Sequence, residues 1–129
     1  MESIKGLLGE YKHTIDAKGR LFMPSRLLKA LGEPFYVSVS DDLCLNVYGP
    51  DQWEKLEEEE FANLAGADAR EKRRKFYSVA QECVPDAQGR VLLTQKLRAY
   101  ASLDKNAVVV GAGKYAEIWD AAAWERRKP

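Results

Sequence analysis

Apolar and polar positions alternate in two separate runs of this chain, and each run is interrupted by the same turn. Residues 7–15 read as a strand carrying Tyr11, His13 and Ile15, and the run stops at Asp16-Ala17-Lys18-Gly19-Arg20. Residues 79–85 carry Val79, Cys83 and Pro85, and they stop at Asp86-Ala87-Gln88-Gly89-Arg90. Strand-forming residues resume at once as Leu21-Phe22-Met23 and as Val91-Leu92-Leu93. An Asp that opens a turn, a Gly near its end and period-two runs on both sides predict a β-hairpin. Its expected form is a type I turn, then Gly in the left-handed region and a bulge. Gly19 and Gly89 lack the Cβ that opposes positive φ, and Asp16 and Asp86 can accept hydrogen bonds from the turn's own N–H groups. The residue aimed by each turn is an arginine.

The pattern then switches period. Pro24 suits the start of a short helix over residues 25–31, with Leu27, Leu28 and Leu31 towards the core and Gly32 and Pro34 as its stop. Residues 35–40 alternate as a strand with Phe35, Val37 and Val39 on one face, and residues 43–48 return after Asp41-Asp42. Asp51 and Glu54 resemble a capping box for a helix over residues 52–64, striped by Trp53, Leu56, Phe61 and Leu64. A second helix is predicted over residues 67–79. Beyond the second turn, Thr94 caps a short helix to about residue 100. Strands cover residues 106–110 and 115–119, and a last helical turn from Asp120 through Trp124 precedes a tail expected to fray.

The two halves match element by element. Arg26 falls opposite Lys96 and Leu27 opposite Leu97. After one inserted residue, Val37 and Val39 fall opposite Val108 and Val110, Val47-Tyr48 opposite Ile118-Trp119, and Trp53-Glu54 opposite Trp124-Glu125. Two copies are too few for a solenoid. Each copy is near the size at which a separate core is marginal. The expectation is an α+β chain, mainly β, whose halves share one core across a pseudo-two-fold axis, with a central helical pair.

Composition narrows the function by exclusion. The formal net charge is zero, so any electrostatic case for a nucleic-acid partner has to come from local clustering. No apolar run is long enough to span a membrane, and residues 1–6 lack the apolar segment of a secretory leader. Cys44 and Cys83 are far apart without metal spacing and read as buried small hydrophobes of a reducing cytosol. His13 is the single histidine, with no G-x-S-x-G element beside it. Asp16 and Asp86 each precede an arginine that holds them ionised, which does not suit acid–base work. An enzyme is not expected, nor a cofactor, a metal or a small-molecule substrate. Gly111-Ala112-Gly113 reads as a hairpin turn rather than a phosphate cradle.

Charge does cluster locally. Lys12, Lys18, Arg20, Arg26 and Lys29 stand against Asp16 in the first half, and Arg90, Lys96 and Arg98 occupy the matching part of the second. A guanidinium can bridge O6 and N7 of guanine or fork onto a phosphate, and a two-stranded ribbon fits the major groove. The other reading pairs Arg20 with Asp16 and Arg90 with Asp86 on a solvated hairpin; the residues leave both open. In the middle of the chain, acidic Glu57-Glu58-Glu59-Glu60 precedes a basic run from Arg70 to Lys75. That segment reads as a solvated helical pair, an oligomer contact or a DNA-phosphate contact.

The stretch from Gly9 to Leu21, followed by Pro24-Ser25-Arg26, resembles the N-terminal half of the MraZ family of bacterial regulators. The second D-A-x-G-R, with Glu117-Ile118-Trp119-Asp120 and Trp124, resembles its C-terminal half. The resemblance implies two AbrB-like repeats of swapped hairpins forming half-barrels, over residues 7–54 and 79–126, joined by a helical connector over residues 55–78. It implies a ring-shaped homo-oligomer in the cytoplasm, associated with the nucleoid. Its expected partner is double-stranded DNA at the promoter of the division and cell-wall cluster that contains its own gene, where it binds short G-containing direct repeats. The implied DNA-binding residues are Asp16, Lys18, Arg20, Arg26, Asp86, Arg90 and Lys96, with Gly19 and Gly89 forming the turns. Gln88 stands where lysine is common in the family and Thr94 where proline is, which implies weaker phosphate affinity in the second half.

Overall fold

The computed structural model describes residues 6–129, so the reading of a missing leader falls largely outside it. The first half comprises β1 (Glu10–Thr14), β2 (Arg20–Phe22), α1 (Ser25–Leu31), β3 (Phe35–Val39) and β4 (Leu45–Tyr48). The middle comprises α2 (Pro50–Leu56), its π-helical continuation Glu57–Phe61, and α3 (Gly66–Ser78). The second half comprises β5 (Gln81–Cys83), β6 (Arg90–Leu92), α4 (Gln95–Tyr100), β7 (Asn106–Gly111), β8 (Ala116–Asp120) and α5 (Ala121–Arg127).

The strands flanking each turn part company, which corrects the expected hairpin. β1 meets β2 only through one bridge, Ile15 to Leu21. β1 instead pairs antiparallel with β7, Tyr11 opposite Val109, and β5 pairs with β3, Phe35 opposite Cys83. β2 pairs with β6, its own counterpart from the other half. The six longer-range strands form one sheet in the order β1-β7-β8-β4-β3-β5. Exchanging each first-half strand for its second-half equivalent reverses that order and leaves it otherwise unchanged. A pseudo-two-fold axis therefore runs between β4 and β8 and through the β2–β6 ribbon. The swap has a physical reason. A three-residue strand is too short to hold a hairpin alone, whereas exchange gives each half's β-hairpin a third strand.

One core follows from this topology. Leu21 and Val91 point inward from the ribbon and join Leu27, Leu97, Val37 and Val109 in a single buried cluster drawn from both halves. The opposite face of the sheet is covered as well. Cys44, Val108, Trp119 and Trp124 pack beneath α5, and Tyr48, Leu56, Phe61 and Phe76 pack beneath α2 and α3. For that reason Ser38, on the face of β3 expected to be polar, is fully buried and donates to the Phe76 carbonyl at 2.6 Å. Burial pushes the Cys44 and Cys83 thiols up to about 12, so both are inert, as the reading of buried hydrophobes anticipated.

Several boundaries differ from expectation for local reasons. β1 begins at Glu10 because Gly9 adopts φ 98°, leaving Leu7 in an isolated bridge to Gly113. The expected Asp51–Glu54 capping box is absent: Gly49 caps α2 without a side-chain hydrogen bond, and the helix turns π-helical at Glu57. α5 runs on to Arg127 rather than fraying after Trp124. Arg127 Nη2 donates to Asp42 Oδ1 at 2.9 Å and its guanidinium lies over the Trp119 ring. Acidic and basic segments meet within the chain, with Arg73 donating to Glu57 and, at 3.0 Å, to the Phe61 carbonyl.

Candidate nucleic-acid interface

Each turn is closed by its aspartate. Asp16 Oδ1 accepts the backbone N–H of Lys18 and of Arg20, both at 2.9 Å, and Oδ2 accepts Arg20 Nε at 2.7 Å. Asp86 repeats the set, with Oδ1 accepting from Gln88 at 3.0 Å and Arg90 at 2.8 Å, and Oδ2 accepting Arg90 Nε at 2.8 Å. Gly19 and Gly89 sit at φ 86° and 80°, each donating to its aspartate carbonyl at 2.9 Å. The Arg20 backbone N–H is the foremost cause that holds the Asp16 carboxyl below its ordinary range, and the Arg90 N–H does the same for Asp86. The carboxylates close the turns as anions.

The two turns also hold each other. Met23 donates its N–H to the Gly89 carbonyl at 3.0 Å, and Leu93 donates to Gly19 at 3.1 Å. Antiparallel pairing sets Arg20 opposite Leu92 and Phe22 opposite Arg90. Opposed residues share a face, so both arginines emerge on the outer side of one ribbon, at the diagonal cross-strand spacing of roughly 7–8 Å between Cα atoms. The solvated-pair reading and the DNA reading turn out to be compatible. Aspartate takes Nε, and a guanidinium carries five N–H donors. The aspartates leave Nη1 and Nη2 of each fork unengaged. Among the described residues that fork has no partner on Arg20, whereas Arg90 Nη2 donates to Gln88 Oε1 at 3.3 Å.

Other basic residues are distributed unevenly. Lys18 is exposed on the first turn, next to Arg20. Arg26 is exposed on α1 and lines a groove towards α2 with Lys29 and Lys55. Lys96 is exposed on α4. Arg98 matters more than its spacing suggested. Its Nε donates to the Leu93 carbonyl at 3.1 Å, and its guanidinium lies so close over Gly19 that a Cβ there would meet Cζ at 2.7 Å. At the second turn the corresponding neighbour is Leu28, whose Cδ1 would lie 3.6 Å from a Cβ at Gly89. Each turn is thus backed by the short helix of the other half, and only the first is backed by a cation. No sequence spacing carries that information, because it depends on the swap.

His13 lies half-buried on β1, and burial lowers its pKa. Among the described residues no three His, Cys, Asp or Glu side chains gather as a metal site, and no helix is long and apolar enough to cross a membrane.

Residues 7–75 and 76–127 each match the protein family described as "MraZ protein, putative antitoxin-like". Curated relatives named Transcriptional regulator MraZ agree with this. The protein of Heliobacterium modesticaldum is 48% identical over 120 residues, covering 92% of this chain and 84% of that one. That of Desulfitobacterium hafniense strain DCB-2 is 50% identical over 118 residues, covering 91% and 82%. That of Carboxydothermus hydrogenoformans is 48% identical over 118 residues, again covering 91% and 82%. With a tandem match over nearly its whole length and relatives at this identity, the chain belongs to the MraZ family.

Proposed function

We propose that this protein is a sequence-specific DNA-binding regulator of transcription; its relatives are named transcriptional regulators. The observation that carries the reading is the β2–β6 ribbon, which sets Arg20 and Arg90 on one outward face with their Nε atoms tied down. Fixing Nε against a carboxylate removes rotamer freedom before binding, so less is lost when the fork engages guanine O6 and N7. The ribbon is narrow enough for a major groove about 12 Å wide. In this reading Asp16 and Asp86 position, Arg20 and Arg90 read bases, and Lys18, Arg26 and Lys96 meet phosphates.

The protein acts in the cytoplasm, at the nucleoid, on the promoter of the division and cell-wall cluster. It represses its own operon by binding short G-containing direct repeats as a ring-shaped homo-oligomer. The repeats span residues 7–54 and 79–126, with residues 55–78 as connector. One ribbon offers few contacts and the chain has no net charge. Linked copies would raise apparent affinity by ~10²–10⁴ when their spacing matches the repeats. The competing reading is a ring that scaffolds other proteins. Gel shift of the purified protein on its own upstream DNA across a salt series separates the two. DNA binding weakens steeply with salt, in proportion to the phosphates neutralised, and Arg20→Ala loses the specific complex while sedimentation still shows the same oligomer. Intact oligomer with unchanged binding by Arg20→Ala would remove the role assigned to that residue.

A further inference from the structure

The outer face of the ribbon carries more than arginine. Phe22 and Leu92 stand at the same place in the two halves, two residues after each arginine, and both are large apolar side chains left 39% and 57% exposed. Register puts them on the arginine face. Phe22 lies opposite Arg90 and Leu92 opposite Arg20, while Leu21 and Val91 between them point into the core. The Arg90 guanidinium lies 5.9 Å from the Phe22 ring centroid. An outward strand position normally takes a polar residue, so an apolar one in both copies, between two cations, calls for an occupant. An apolar protein face would have to bury two guanidinium groups along with the patch. The major groove presents anionic walls and, on its floor, the C5-methyl group of thymine, which apolar side chains contact.

We propose that Phe22 and Leu92 are specificity-determining residues that read thymine methyl groups next to the guanines faced by Arg90 and Arg20. This rests on the DNA-binding reading above. It assigns the ribbon a mixed code, a fork and an apolar contact from each strand, instead of two arginines alone. Phe22 is further steadied by the cation above its ring, which fixes where its edge meets the groove.

The test uses the full-length protein and the DNA upstream of its own gene, prepared once with thymidine and once with deoxyuridine throughout, which lacks the methyl group. Fluorescence anisotropy gives Kd for wild type, Phe22→Ala, Leu92→Ala, the double variant and the conservative Phe22→Leu. Wild type is expected to bind the deoxyuridine DNA more weakly, by about fourfold for each methyl contacted. The double variant is expected to bind both DNAs alike, at the wild-type affinity for the demethylated one, and Phe22→Leu to keep part of the discrimination. Wild type that binds both DNAs equally, with Arg20→Ala still abolishing binding, overturns this proposal and leaves the DNA-binding reading standing. Failure of wild type to bind either DNA overturns both. A double variant that changes the sedimenting mass while discrimination by wild type is absent assigns the patch to contact between copies, and so overturns it too.

Discussion

At Asp16 and Asp86 one carboxylate does three jobs: it closes the turn, fixes the next arginine and leaves Nη1 and Nη2 of the guanidinium out of the pair. Both carboxyls are held below the ordinary aspartate range. A depressed folded-state pKa means the turns gain stability above the unfolded value of about 3.9, and lose it as pH falls through the lower folded value. NMR titration of the Arg20 and Arg90 Nε–H resonances is expected to show midpoints below that of a free aspartate; midpoints at the free value would mean the carboxylates do not hold the guanidinium groups. The side chains between the turns differ. Lys18 is exposed, whereas Gln88 accepts from Arg90. Gln88→Lys is therefore expected to tighten DNA binding and to steepen the salt slope by about one, measured by anisotropy from low to moderate salt. The aspartate closure and the glycine conformation of each turn were legible in the sequence because a turn's chemistry is local. Arg98 over Gly19 was not, since the contact joins α4 of one half to the turn of the other.

Among the elements, the ribbon sets the geometry of the site and is also the one that sequence periodicity misassigned. Alternation and turn residues identified β2 and β6, yet adjacency in sequence suggested β1 and β5 as their partners. Three-residue strands carry too little pairing to choose a partner locally, so the choice falls to the shared core under Leu21 and Val91. Leu21→Ala is expected to cost ~2–5 kcal/mol in urea unfolding, as for a fully buried leucine, and to loosen both turns at once because Met23 and Leu93 bridge them. The N-termini of α1 and α4 are matched in position and differ in capping. Thr94 accepts the Leu97 N–H at 3.3 Å and donates its own N–H to Gln81, while Pro24 makes no side-chain cap. Thr94→Ala should cost ~0.5–2 kcal/mol, read from the urea midpoint. The capping box at Asp51 failed as a signal because Gly49-Pro50 starts α2 earlier, with proline in its first turn.

On the scale of the whole molecule, the internal repeat is the most informative feature of the sequence, since it implies one core and an axis. The sheet order β1-β7-β8-β4-β3-β5 has that symmetry, with β1 completing the second half and β5 the first. Neither half closes its own sheet, so a chain cut after residue 78 is expected to give two fragments that are unfolded apart and regain strand signal by circular dichroism when mixed. A first fragment that folds alone would show the swap to be dispensable. The claim on which the function rests is that one ribbon face, aimed by two aspartate-closed turns, reads DNA. DNase footprinting of the purified protein on its own upstream DNA, side by side with the Arg20→Ala and Arg90→Ala variants, tests it most directly. Periodic protection over short G-containing repeats by wild type, lost in both variants at unchanged oligomer size, is the expected result; protection that persists in both variants, or none from wild type at low salt, would contradict it.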